Sequence, residues 1–163
     1  MANLVYNRGK YLAAQINSSG SVLQAMLVTT SYVADQDHNF VNANTSAGSL
    51  GEPKVYELTV GGYARQTLAS LATFEDDTND FAGLDAADLT FAALAAGQTV
   101  GGCVVYRYST SGGTSGGTQT TGDSGQELLA FYDVTDTPTN GGDIGIQWAS
   151  TSAGGVLKFG TTS

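Results

Sequence analysis

The chain has 163 residues, a formal net charge of −9 from fifteen acids and six bases, 22 glycines and one cysteine. That length suits one domain burying roughly 70% of its unfolded surface, and a hydrophobic fraction of 41% is too high for a disordered chain. The acidic balance repels phosphate backbones and excludes a general nucleic-acid binder, the lone cysteine excludes a disulfide framework, and no apolar run reaches the ~20 residues of a membrane span.

In chain order, "LVYNRGKYLAAQI" sets Val5, Leu12 and Ile16 at helical spacing, although Gly9 weakens a helix by about 1 kcal/mol. Residues 1–20 are expected to form a short helix or an arm, and 21–163 a single domain. "SVLQAMLVTT" reads as a buried strand, because its apolar run is short and bounded by turn residues. From Ser31 to Pro53 the chain is polar and aperiodic apart from Phe40, Val41 and Leu50, which predicts a long loop with at most one helical turn. "VYELTVGG" alternates, placing Tyr56, Leu58 and Val60 on one face and Glu57 and Thr59 on the other. "YARQTLASLATF" predicts an edge strand followed by irregular chain, and the acidic stretch Glu75 to Asp88 a solvated loop.

"LTFAAL", "VGGCVVYRYST", "ELLAFYDV", "DIGIQWAS" and "GVLKFG" are the remaining strand candidates, several of them rich in β-branched and aromatic residues. Between the second and third, "STSGGTSGGTQTTGDSGQ" (109–126) is too polar and too entropic to pack and predicts a flexible Gly/Ser/Thr loop. Near the end, Asn140-Gly141-Gly142 supplies a turn, after which Ile144, Ile146 and Trp148 share one face while Gly145, Gln147 and Ala149 share the other. Short strands separated by glycine-rich turns predict an all-β fold, an antiparallel β-sandwich of jelly-roll or Ig-like type.

Residues able to do chemistry are few. His38, flanked by Asp35, Asp37 and Asn39, reads as a solvated loop residue, and Cys103 in its apolar run as a small buried hydrophobe. The glycine runs "SGGTSGGT" and "TNGG" have no following helix and no nearby base, so they read as linkers and turns rather than phosphate cradles. Glu75, Asp76, Asp77, Asn79, Asp80, Asp85 and Asp88 offer the hard oxygens calcium accepts, but lack EF-hand spacing. Asp76, Asp77, Asp80 and Asp85 would be the ligands if that stretch held an ion. No catalytic residue, cofactor or metal is expected, and the protein is not expected to be an enzyme. Tyr56, Tyr63, Tyr106, Tyr108 and Tyr132 would be the platform of a carbohydrate-binding module, although their strand patterns favour core positions.

"GLDAADLTFAAL", "VVYRYST", "ELLAFYDVTDTPTNGGDIGIQWAS" and "VLKFG", in that order, together with Asn7-Arg8-Gly9-Lys10, resemble a family of small virion proteins of tailed bacteriophages. The tail segment Thr137-Pro138-Thr139-Asn140-Gly141-Gly142-Asp143-Ile144, followed by Trp148 and Leu157-Lys158-Phe159, carries most of the likeness. Two stretches depart from the family pattern, a longer 109–126 segment and "TSAGG" in the final turn; both lie in loops, where insertions cost little. The resemblance implies a structural role in the particle. The expected function is a capsid decoration or cement protein that binds the major capsid protein or another virion protein. A homotrimer is expected, with no nucleic-acid and no membrane partner. The N-terminus lacks the continuous hydrophobic core of a secretory signal, so the expected location is the virion after synthesis in the host cytoplasm. A neck, collar or tail-fibre attachment protein and a carbohydrate-binding module are the alternatives.

Overall fold

The computed structural model describes residues 4–5, 22–42, 52–78, 81–108, 123, 126–153 and 155–160. Its strands are β1 (Leu4–Val5), β2 (Val22–Thr29), β3 (Gln66–Thr67), β4 (Ala72–Asp76), β5 (Phe81–Asp85), β6 (Leu89–Phe91), β7 (Thr99–Tyr108), β8 (Glu127–Pro138), β9 (Ile144–Ile146) and β10 (Leu157–Gly160). All pair antiparallel, in a five-stranded sheet of order β1-β8-β7-β2-β3 and two smaller sheets, β10-β5-β4 and β6-β9. The fold is all-β and sandwich-like.

The five-stranded sheet is buried on both faces. One face, with Leu23, Ala25 and Leu27 of β2, Cys103 and Val105 of β7 and Leu129 of β8, packs on Leu84, Leu89, Phe91, Ile144, Ile146 and Leu157 of the smaller sheets. The other face presents Met26, Val28, Val104, Tyr106, Leu128 and Phe131, and is covered by Tyr32, Val41 and Tyr56 from loops rather than by strands. Two-sided burial explains why β2, β7 and the start of β8 read as continuous apolar runs instead of alternating ones. Gly102 of β7 is required by this packing: a Cβ there would sit 2.2 Å from the Phe131 ring on the neighbouring strand.

Four local expectations are corrected. Pro53–Tyr56 is a 3-10 turn, and Glu57 makes only an isolated bridge to Val28, so no regular strand runs through "VYELTVGG". Tyr56 packs against one core cluster and Leu58 and Val60 against the other, and Glu57 is buried. The acidic stretch is not a loop but a hairpin: β4 and β5 pair from Ala72↔Asp85 to Asp76↔Phe81, and the Phe74 and Phe81 rings meet edge-on at 6.1 Å. Ladder bonds and one aromatic pair outweigh the poor strand propensity of Asp and Glu. Val5 lies in a strand, paired with Ala130, rather than on a helical face. The rest of the expected N-terminal arm or helix lies outside the described residues. So do 109–122 and 124–125 of the expected flexible loop; Asp123 and Gln126, near its end, are buried.

The N-G-G turn is a joint between layers. Asn140 Oδ1 accepts from the Gly142 N–H at 3.0 Å, and the Gly141 N–H and Gly142 carbonyl both bond to the Leu94 backbone. Asp143 Oδ1 accepts from the Ala93 N–H at 2.8 Å, while Thr139 exchanges backbone and hydroxyl bonds with Gln98. Gly141 has φ +92°, in the region that favours glycine. The motif thus carries β8 into β9 while pinning the 92–98 loop.

Candidate functional site

The structure gathers polar side chains in two places. The first is a buried charge cluster against one edge of the large sheet. The Arg65 guanidinium grips two carboxylates at once: Nε and one Nη donate to Glu57 at 2.7 Å, and the Nη groups donate to Asp123 at 2.7 and 3.0 Å. Lys54 reaches both acids, lying 3.9 Å from Asp123. Tyr63 donates its hydroxyl to Glu57 at 2.9 Å and accepts from the Leu27 N–H, while Tyr106, beneath the guanidinium, donates to Gln24 at 2.6 Å. The side chains of Glu57, Asp123 and Arg65 are only 2%, 4% and 6% exposed.

Burial would raise the Glu57 carboxyl, but the hydrogen bonds and charge of Arg65, followed by those of Lys54, outweigh it and hold the group below the usual carboxylate range. Burial would lower Arg65, and the bonds from Glu57 and Asp123 overcome it, so the guanidinium stays charged. The Tyr63 phenol is pushed well up by burial and by the negative Glu57 beside it. Two cations facing two anions balance, and the bidentate geometry commits the donors to fixed partners. Such an arrangement locks chain segments together; it is not poised to move a proton. What it locks is Asp123 at the end of the Gly/Ser/Thr segment, whose carbonyl also accepts from the Asn42 and Gln126 N–H groups.

The second place is a cleft between β8 and the exit of β9, lined by Tyr132, Asp133, Val134 and residues 145–149. Trp148 packs at the margin of the main core with Tyr132, whereas Ile144 and Ile146 are buried within it. Gln147 and Ala149 are exposed.

The sequence candidates do not converge. His38 is half-buried with Nδ1 3.3 Å from the Tyr32 hydroxyl, well away from the acidic hairpin in sequence and on the opposite covered face. Glu75, Asp77 and Asp88 are exposed and Asp76 and Asp85 half-buried, and Asn79 and Asp80 lie outside the described residues. Asp76 Oδ1 accepts from the Thr78 N–H, closing the hairpin turn, and Asp88 Oδ1 accepts from the Trp148 N–H. Among the described residues no group of three His, Cys, Asp or Glu is placed to hold a metal ion. Cys103 is fully buried, and burial pushes its thiol up to about 12. Tyr63 and Tyr106 are core residues, while Tyr56, Tyr108 and Tyr132 are half-buried.

Sequence reasoning missed the Glu57–Arg65–Asp123 cluster. The available signal was an acid within the apolar "VYELTV" followed by Arg65, one of only six bases in the chain. No family model, curated protein or solved structure matches the chain.

Proposed function

We propose that the chain is a non-enzymatic structural protein of a tailed-phage virion, a capsid decoration or cement protein that binds the major capsid protein as a homotrimer. The ordered motif set from Asn7 to Phe159 supports this reading. The observation that carries it is the N-terminal segment laid against the sheet: Leu4–Val5 pairs with Ala130–Phe131 as the edge strand of a sheet otherwise built from β2, β3, β7 and β8. Edge strands are natural places for one chain to join another. Cyclic closure protects such edges, and a trimer fits the local axes of an icosahedral shell.

Two measurements test the reading. The first is a quantified gel of purified virions of the phage that encodes the chain. Hundreds of copies per particle are expected; a dozen or fewer would move the protein to the neck, collar or tail fibre, and absence from the particle would overturn the virion reading. The second is deletion of residues 2–12, followed by light scattering and co-sedimentation with shells. A folded domain that no longer trimerises or no longer binds particles is expected, and a stable monomer that still saturates shells would defeat the arm's role.

A further inference from the structure

The cleft beside Trp148 has the makings of a ligand site independent of any shell contact. Its volume is about 470 Å³, inside the ~300–1,000 Å³ typical of small-molecule clefts. Trp148 is the chain's only tryptophan, and it is fixed by two bonds from one loop. Its indole N–H donates to the Ala87 carbonyl at 3.0 Å, and its backbone N–H to Asp88 Oδ1 at 3.0 Å. On the other side the Tyr132 ring meets it edge-on, with centroids 5.2 Å apart. The indole therefore cannot swing away, and a ligand meets a preset aromatic surface at little ordering cost.

Around that surface the described lining mixes apolar Val134, Ile146 and Ala149 with polar groups and carries one charge, an acid. Asp133 brings a carboxylate, Gln147 an exposed amide and Tyr132 a phenol, and Gly145 leaves the β9 side open. Burial pushes the Tyr132 phenol well up, so it stays an O–H donor. Among the described residues no lysine or arginine lines the cleft, and the chain carries a net charge of −9. Phosphorylated, sialylated or uronic-acid ligands are disfavoured by that field. What fits is a molecule with an apolar C–H face to lie on an aromatic ring and hydroxyls around its rim for carboxylate, amide and phenol.

We infer that the Tyr132–Trp148 cleft is a binding subsite for a neutral hexose unit of a glycan chain. The inference does not rest on the virion reading. In a surface-displayed structural protein it would add weak, multivalent attachment to a carbohydrate surface, since many copies convert low site affinity into avidity.

Because the chain has one tryptophan, its own emission reports occupancy. The test titrates the purified full-length chain with maltohexaose, cellohexaose, mannohexaose and chitohexaose while following tryptophan fluorescence. At least one of them is expected to give a saturable change in emission. Gln147→Ala and Asp133→Asn are each expected to weaken that binding roughly tenfold, as the loss of one ligand hydrogen bond does, with native circular dichroism in both and the melting temperature of Gln147→Ala unchanged. If none of the four sugars changes the emission, or if binding persists unaltered in both variants, the inference is overturned. If the variants instead weaken shell binding or self-association and no sugar binds, the cleft is a protein contact and the glycan subsite is refuted while the virion reading stands. Sugar binding by a chain absent from virions would separate the two the other way.

Discussion

Arg65 holds two carboxylates in a part of the molecule from which water is largely shut out, and the consequences of losing it are asymmetric. With the guanidinium in place each acid has a bidentate partner; without it two negative groups face each other and, among the described residues, Lys54 is the one cation left beside them. Breaking a buried pair from one side costs about 3–5 kcal/mol, far more than the net worth of the intact pair. Arg65→Met is therefore expected to lower the urea midpoint by an amount equivalent to about 3–5 kcal/mol at unchanged slope. Acid attacks the same cluster. The folded carboxyl of Glu57 titrates below its ordinary value of 4.5, so the stability it contributes is complete above that pH and is lost as pH falls through the lower folded value. Denaturation midpoints measured against pH should fall below pH about 4.5. Glu57→Gln should start less stable at neutral pH and show a flatter acid limb; an acid limb identical to the parent's would show that Glu57 is not held charged.

At the scale of elements, the strands that carry most of the core were legible and the polar ones were not. β2, β7, β8, β9 and β10 announce themselves because apolar and β-branched residues have nowhere else to go. β4 escaped notice because Glu75 and Asp76 look like loop residues, and what makes them a strand is the ladder to β5, which no local pattern records. Alternation places Glu57 on the face opposite Tyr56, Leu58 and Val60, yet the chain there is a 3-10 turn and a single bridge, and the acid turns inward to a base eight residues on. The frame that puts Ile144, Ile146 and Trp148 on the core face and Gly145, Gln147 and Ala149 on the other holds, although β9 itself ends at Ile146 and Trp148 is only half-buried. Trp148 consequently sits at the rim of the core, and the cleft it shapes with Tyr132 is invisible in the sequence because no local pattern shows that β8 and the exit of β9 face each other across the N-G-G turn. The N-G-G turn, by contrast, was readable from composition alone. Its backbone demand can be measured: Gly141 has positive φ and open space around its Cα, so Gly141→Ala isolates conformational strain from crowding. A loss of about 1–2 kcal/mol is expected, read as a lower melting temperature. Gly145→Ala, at ordinary φ with its nearest contact 4.0 Å away, should be close to neutral.

Taken whole, the molecule is a five-stranded sheet with a core on each side, and Cys103 stands at its centre on β7, the middle strand. A thiol pushed up to about 12 and fully out of solvent reacts only when its surroundings open. Ellman's reagent is expected to label native protein at a rate set by global unfolding, rising with urea in step with the unfolded fraction; rapid labelling in water would mean that β7 opens on its own. The position of β1 has a different kind of consequence, one that concerns the order of synthesis. Leu4 leaves the ribosome long before its ladder partner Phe131 is made. At about 5–20 residues per second, a ribosome takes on the order of ten seconds to cover that interval. For that time the arm has no β8 to join, and because long-range pairings close slowly in any case, it meets whichever β8 edge is nearest when one appears. In a crowded polysome that edge can belong to the chain on the next ribosome. Slow, dilute expression favours each chain's own edge, and rapid expression at high local concentration favours strand exchange between neighbours.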